Sequence, residues 1–204
     1  MAIDLTEYTK FFIAMLAIVD PLAILPLYGQ LTKNLNEPEK TRLARRAAVA
    51  VVFALLIALF FGQAILTFFG ISIGSFRVAG GLLLMIMALQ LMYLPVSKQL
   101  SDSDLNPIDS QVVVPLAIPL LAGPGAFSAV IVFSFRNDVW WHYALISACL
   151  ILIGLIIWGS LHMAGKILRH VSATGIAITV KIMGLIMAAI AVEFIANGIK
   201  QLAA

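Results

Sequence analysis

Six apolar runs, each about the length of a bilayer-crossing helix, dominate this 204-residue chain. A helix needs about 20 mainly apolar residues to cross the hydrocarbon core. Only 11% of the residues are charged, whereas a soluble domain carries about 25%. The chain therefore predicts an all-α membrane protein with six transmembrane helices and the lipid bilayer as its main partner. The runs cover roughly residues 9–30, 47–69, 76–95, 112–134, 143–165 and 180–199.

Basic residues are distributed unevenly between the two sides of this predicted bundle. Cytoplasmic loops of membrane proteins carry the excess of Lys and Arg. The loops on one side hold nine cations and those on the other side hold four, so both termini are predicted to lie outside. The connections are short, which predicts a single domain over residues 1–204. The nine cations are Lys33, Lys40, Arg42, Arg45, Arg46, Lys98, Lys166, Arg169 and Lys181, and the four are Lys10, Arg77, Arg136 and Lys200.

Two of the apolar runs are interrupted by the same motif, Pro-Leu-x-x-x-Pro. The motif begins at Pro21 and ends at Pro26 in the first run, and recurs 98 residues later from Pro119 to Pro124 in the fourth. A proline removes a backbone donor, and in lipid this is tolerated only where the freed groups face protein or water. Paired breaks at corresponding positions indicate a transporter binding site near the bilayer midplane.

A second motif recurs at a similar offset. Residues 76–80 (Phe-Arg-Val-Ala-Gly) open the third run, and residues 180–184 (Val-Lys-Ile-Met-Gly) open the sixth run, 104 residues later. Each half has three spans, an odd number, so the two halves must enter the membrane in opposite directions. The sequence therefore predicts two inverted three-helix repeats, over about residues 1–95 and 112–204.

The segment Asn36-Glu37-Pro38-Glu39 is typical of a helix start. It combines a capping Asn, a proline in the first turn and a Glu three residues after the cap. The predicted helix is basic up to Arg46 and then enters the second span. Its cations are expected to meet anionic lipid headgroups at the cytoplasmic surface.

These segments together resemble the MarC family of bacterial inner-membrane proteins, over essentially the whole chain. The resemblance implies six transmembrane helices in the inner membrane and kinship with LysE-type exporters of amino acids. With the charge asymmetry of the loops, an inner-membrane location places both predicted outside termini in the periplasm. It also implies that the position of Asp20 can be occupied by Asn. The matching stretches are Val19-Asp20-Pro21 with Pro26, residues 75–81, residues 114–125 (Val-Pro-Leu-Ala-Ile-Pro-Leu-Leu-Ala-Gly-Pro-Gly), residues 182–185, and Glu193-Phe194.

Asp20 lies near the middle of the first span, immediately before a break. A carboxylate at the bilayer centre costs about 2.5–3.5 kcal/mol on insertion scales, so lipid exposure is not expected. One interpretation makes Asp20 a proton or cation site that couples ion movement to solute export. The other makes it a hydrogen-bonded cap of the helix that restarts after Pro21. Asn can cap but cannot titrate, so its occurrence in the family favours capping.

Polar side chains lie inside the third and sixth spans. Glu193 follows Lys181 by twelve residues, about 18 Å along a helix, and Asn197 lies one turn later on the same face. Gln90 holds nearly the equivalent position in the third span, thirteen residues after Arg77. These side chains either line a cavity or form hydrogen bonds between helices.

Two further groups are candidate site residues. The segment Gly123-Pro124-Gly125 offers backbone groups to a ligand, and the N-terminus of the following half-helix favours an anionic group such as a carboxylate. Arg77 and Lys181 open pseudo-equivalent helices on opposite faces, where they would form gate ion pairs or extend towards the interface.

Enzyme signatures are weak in this chain. Residues 70–74 match G-x-S-x-G, but they lie in a short turn between two predicted membrane helices rather than in a strand-turn-helix context. The three histidines form no metal-ligand spacing, Cys149 is the single cysteine, and no phosphate-binding loop occurs. We expect no catalytic activity, no metal, no cofactor and no nucleic-acid partner.

The sequence therefore predicts a secondary transporter, most simply an exporter of a small solute such as an amino-acid-like metabolite. It does not identify the substrate. A passive channel of the same architecture and a membrane scaffold that transports nothing are the alternatives. Assembly into a homo-oligomer is plausible because six helices leave little room for a cavity.

Overall fold

A computed structural model describes residues 5–93, 122–136, 139–170 and 173–203, and these residues contain only helices and short connections. The expectation of an all-α fold is confirmed for the part of the chain that is described. In chain order the helices are α1 (Leu5–Val19), α2 (Leu25–Leu31), α3 (Glu37–Phe68), α4 (Ile73–Tyr93), α5 (Pro124–Ser134), α6 (Trp140–His162), α7 (Ala164–His170) and α8 (Ala173–Ala203).

Four of these helices are long and apolar enough to cross a bilayer: α3, α4, α6 and the part Thr174–Ala203 of α8. They correspond to the predicted second, third, fifth and sixth spans. The predicted first span is divided into α1 and α2. Only the second half of the predicted fourth span, the shorter apolar helix α5, lies within the described residues.

The helix start predicted at Asn36 is confirmed in detail. Asn36 caps α3, and its side-chain oxygen accepts a hydrogen bond from the Glu39 amide at 3.0 Å. The Glu39 carboxylate accepts one from the Asn36 amide at 3.1 Å, which completes a capping box. Pro38 lies in the first turn, where no intrahelical amide donor is needed. The sequence therefore sets the start of α3 by local chemistry alone.

Two antiparallel helix pairs organise the bundle. A Cβ atom on Gly81 of α4 would lie 2.9 Å from the Ala191 carbonyl of α8, and one on Gly184 would lie 3.1 Å from the Ala88 carbonyl. Because rising numbers on α4 face falling numbers on α8, the two helices run antiparallel. Small residues allow this close approach, as is common between membrane helices. In the second pair, Tyr143 of α6 donates a hydrogen bond to Gln63 of α3, and His162 contacts Thr41.

The interior of the bundle is apolar, and so is much of its outer surface. Met15, Leu55, Leu150 and Ile157 are fully buried in a single cluster. Many large apolar side chains face outward instead, among them Phe53, Phe60, Phe61, Leu152 and Leu185. A soluble monomer rarely exposes an apolar surface of this extent, whereas lipid-facing helices require one.

Candidate functional site

A cavity of about 440 Å³ lies between α1, α5 and α8, with one residue of α4 in its wall. Its lining residues recur at intervals of three and four along each helix, which is the pattern of one helical face. The face on α1 extends from Glu7 to Ile18, about 16 Å along the axis. The other lining residues are Lys10, Phe11, Ala14 and Met15 of α1, Arg77 of α4, Ala129, Val132, Phe133 and Arg136 of and just after α5, and Ile190, Glu193, Phe194 and Asn197 of α8.

Charged side chains concentrate at one end of this cavity. Arg136 Nη1 lies 3.0 Å from Glu7 Oε1, and the two side chains are 48% and 45% exposed. Lys10 lies one turn further along α1 and is also exposed. An exposed ion pair contributes about 0–1 kcal/mol to stability, so this pair adds little to the stability of the fold.

Arg77 brings a cation into the wall of the cavity. It is half-buried in the first turns of α4, and its Nε atom is buried with no hydrogen-bond partner among the described residues. A guanidinium offers donors in a planar fork that matches a carboxylate. An unpartnered buried donor costs about 1–3 kcal/mol, which a bound anion would recover.

The opposite end of the cavity is apolar. Met15 and Ile18 of α1 are buried there, together with Ala129 of α5, and Ile190 of α8 lies at the same level. Glu193 lies one turn from Ile190 towards the charged end. The cavity therefore combines an apolar floor with cationic and anionic groups at its mouth, an arrangement that suits an amphipathic solute.

The first predicted break is present just beyond this floor. Helix α1 ends at Val19 and α2 begins at Leu25, and Asp20 adopts a φ of +37° between them. Asp and Asn occur in this left-handed region several times more often than other non-glycine residues. Pro21 is buried in the break, and Pro26 lies in the first turn of α2, where a proline costs no hydrogen bond.

Asp20 is 5% exposed, and the two oxygens of its carboxyl group differ in their surroundings. Oδ1 accepts a hydrogen bond from the Ala23 amide at 3.3 Å, as a local cap does. Oδ2 is buried and has no partner among the described residues. The first contact caps the turn between α1 and α2 and not α2 itself, because that helix begins only at Leu25. Oδ2 is not engaged by any described residue, so it can accept a proton or bind a cation.

Substitutions of Asp20 should separate its role as a local cap from a role as a proton or cation site. Asp20→Asn retains both the acceptor oxygen and the tolerance of positive φ, so we expect an unchanged unfolding temperature in detergent. Asp20→Val loses the acceptor and places a β-branched residue in a left-handed conformation. We expect it to lower the free energy of unfolding by about 2 kcal/mol. Equal unfolding temperatures for the Asn and Val variants would contradict the capping role.

The second Pro-Leu-x-x-x-Pro motif lies within the described residues only from Ala122 onward. Gly123 is the N-cap of α5 in an extended conformation, and Pro124 is the first residue of the helix. The second proline of each motif thus lies at the start of a helix. Gly123 and Gly125 are buried, whereas Pro124 is exposed. A Cβ atom on Gly125 would overlap the Leu84 side chain, so this residue serves close packing. Pro119 lies outside the described residues.

The structure brings together only some of the residues that the sequence indicated. Arg77, Glu193 and Asn197 line the same cavity. The described break residues Asp20, Pro21, Pro26, Gly123, Pro124 and Gly125 are not among its lining residues. Gln90 and Lys181 are exposed towards the other end of the α4–α8 pair, because antiparallel packing places Gln90 near Gly184 and away from Asn197.

Three charged lining residues were not predicted from the sequence: Glu7, Lys10 and Arg136. The signal was present on α1, where Glu7, Lys10, Phe11, Ala14 and Ile18 share one helical face. Such a face shows that a helix is amphipathic, but it does not show whether the polar positions meet headgroups or a cavity.

A buried histidine supports the wall of the cavity. His142 is 1% exposed, and its Nε2 lies 3.0 Å from the Phe133 carbonyl oxygen. Because that oxygen can only accept, Nε2 carries the proton in the neutral ring. Nδ1 then accepts the hydrogen bond from the Tyr8 hydroxyl at 2.7 Å. This network joins the start of α1 to α5 and α6 beside the Glu7–Arg136 pair.

No group of three or more His, Cys, Asp or Glu side chains is placed to hold a metal ion within the described residues. The charged groups of the cavity are instead acidic and basic side chains distributed along its walls. Such an arrangement can bind a small molecule through ion pairs and hydrogen bonds.

Comparison with known proteins places the chain among membrane proteins of bacteria and archaea. The profile described as MarC family integral membrane protein matches residues 5–203. The UPF0056 membrane protein BU267 of Buchnera aphidicola is 39% identical, over 96% of this chain and 93% of its own length. The UPF0056 membrane protein YhcE of Escherichia coli K12 is 38% identical, over 97% and 94%. A UPF0056 membrane protein of Pyrococcus horikoshii is 31% identical, over 93% and 92%. No solved structure matches the chain significantly.

Proposed function

Because this chain belongs to the MarC family of integral membrane proteins, we propose that it acts within the bilayer as a secondary transporter of a small amphipathic solute. The direction that we propose is export, and an amino-acid-like metabolite is the substrate class that the site fits best. The observation that carries the proposal is the cavity with charged groups of both signs at its mouth and an apolar floor.

Each part of such a solute has a chemical match in the cavity. Arg77 offers an unsatisfied donor to a carboxylate, and charge-assisted hydrogen bonds of this kind are about twice as strong as neutral ones. Glu193 and Glu7 offer carboxylates to an ammonium group. Met15 and Ile18 contact the apolar part. We assign no catalytic chemistry to these groups.

We further propose that the protein has six spans arranged as two inverted repeats. Two features support this arrangement. The third helices of the two halves, α4 and α8, are antiparallel, and so are the second helices, α3 and α6. In both halves the last proline of the repeated motif lies in the first turn of a helix, α2 or α5. Inverted repeats allow a binding site at their interface to face each side of the membrane in turn.

The proposed membrane is the bacterial inner membrane, with both termini in the periplasm. The end of the bundle that holds Arg42, Arg45 and Arg46 is then cytoplasmic. The charged mouth of the cavity lies at the other end, near the start of α1 and the end of α8. In this orientation the structure corresponds to an outward-facing state.

Counterflow in proteoliposomes tests the proposal. Vesicles containing the purified protein are loaded with one unlabelled amino acid at a time and then diluted into trace radiolabelled amino acid. A carrier gives saturable uptake that transiently exceeds equilibrium, because exchange is faster than net efflux. Linear flux without counterflow would indicate a channel, and flux equal to that of protein-free vesicles would contradict transport of this solute class. Proton coupling that persists in Asp20→Asn would exclude a titrating role for Asp20.

A further inference from the structure

The outer surface of the α3–α6 pair contains a groove that the proposed transport site does not use. Its volume is about 500 Å³, and it lies where Gly154 lets the two helices approach, because a Cβ atom there would overlap the Val52 side chain. Among the described residues that line it, Arg45, at one end, is the only charged one. The other lining residues are Ala48, Val49, Val52, Phe53 and Leu56 of α3 and Ile151, Leu155 and Trp158 of α6.

The two ends of the groove differ in chemistry. On α3 the lining extends from Arg45 to Leu56, about 16 Å along the helix axis. Antiparallel packing places Trp158 level with Arg45. The Trp158 ring stacks on His162 with centroids 5.7 Å apart, and His162 Nδ1 lies 3.2 Å from the Thr41 hydroxyl oxygen. One end is therefore polar and aromatic, as at a membrane interface, and the remainder is apolar.

Three of the four cations near this end form no ion pair with any described residue. Lys40 is paired with Glu37 at 2.8 Å, but Arg42, Arg45 and Arg46 form no ion pair within the described part of the chain. All three are exposed. A cluster of basic residues beside a transmembrane helix attracts anionic lipid headgroups, with a contribution of each cation that falls off within a Debye length.

We propose that this groove is a binding site for one anionic phospholipid, with its phosphate on Arg45 and an acyl chain along Val52, Phe53 and Ile151. A second copy of the chain fits less well. Copies in a membrane share one orientation, so a two-fold contact through this face would bring Arg45 and its equivalent together at the same depth. A phospholipid instead matches both the length and the charge of the groove.

Quenching of Trp158 fluorescence by brominated lipids tests this proposal directly. Trp140→Phe and Trp141→Phe leave Trp158 as the only tryptophan. In one set of vesicles, phosphatidylglycerol with brominated acyl chains is mixed with unbrominated phosphatidylcholine. In the other set, the phosphatidylcholine is brominated and the phosphatidylglycerol is not. From the quenching of Trp158 in the two sets, we expect phosphatidylglycerol to bind the groove about fivefold more tightly than phosphatidylcholine.

Two arginine variants provide a matched comparison. Arg45→Gln removes the charge that lines the groove and should bring the lipid preference close to one. Arg46→Gln removes an equal charge one residue away, on a face about 100° around the helix, and should retain most of the preference. Arg45→Lys should retain it as well, because a phosphate also binds a point charge.

Native mass spectrometry of protein with its natural tryptophans gives an independent measurement. Wild-type protein and Arg46→Gln should each retain one tightly bound phosphatidylglycerol after detergent exchange, and Arg45→Gln should lose it. Equal quenching by the two headgroups, or equal loss in both Gln variants, would overturn the proposal. Efficient disulfide cross-linking between copies of Val49→Cys, with Trp158 shielded from both lipids, would also overturn it and assign the groove to a dimer.

Discussion

Replacing Arg77 with Gln is expected to weaken the apparent affinity for the transported solute strongly while the protein remains folded. The guanidinium lies in the cavity wall with a buried Nε atom that has no partner among the described residues. A hydrogen bond to a charged group contributes about 1.5–3 kcal/mol, so loss of the contact to a solute carboxylate should raise the apparent KM about 10- to 100-fold. Counterflow over a range of concentrations, with reconstituted protein quantified in each preparation, measures the change.

Two further variants show whether this loss is specific. Lys200→Gln removes one charge from the exposed last turn of α8, at the same end of the bundle but outside the cavity lining, and should leave the apparent KM unchanged. Arg77→Lys keeps the charge without the planar fork and should give an intermediate value. An unchanged apparent KM in Arg77→Gln would remove Arg77 from the solute site.

The parts of the fold that follow from neighbouring residues were predicted well from the sequence. The capping box at Asn36 and Glu39 needs only four residues in a row, and the structure shows both of its hydrogen bonds. The break after Val19 follows from Pro21, which cannot donate to the helix that precedes it. The left-handed conformation of Asp20 was not predicted, because it depends on how the chain leaves α1.

The composition of the cavity depends on which helices meet, and one sequence does not contain that information. Glu193 and Asn197 were expected to share a polar face, and both line the cavity. Gln90 was placed beside them by its depth from the start of its own span. Because α4 and α8 are antiparallel, depths counted from the starts of the two helices begin at opposite ends of the pair. Gln90 therefore lies at the level of Gly184 and away from Asn197. Arg136 enters the site only because the end of α5 meets the start of α1.

Close packing of α4 on α8 is expected to depend on Gly81, and Gly81→Leu should destabilise the protein more than any change at its surface. A Cβ atom at this position would lie 2.7 Å from the Ile195 side chain and 2.9 Å from the Ala191 carbonyl oxygen. The backbone of α8 cannot rotate away as a side chain can, so the helices must separate. Membrane helices associate through such close contacts. We expect a loss of about 3 kcal/mol in the free energy of unfolding.

Gly159→Leu on α6 is the matched control for Gly81→Leu, because a Cβ atom there meets nothing within 4 Å among the described residues. Leu is a better helix former than Gly by nearly 1 kcal/mol, so this control should be as stable as wild type or slightly more stable. Unfolding by increasing SDS in mixed micelles, followed by circular dichroism, compares the two variants. If both unfold at the same SDS fraction, close approach at Gly81 is not what holds α4 against α8, and the antiparallel pair that supports the inverted repeat would lose its physical basis.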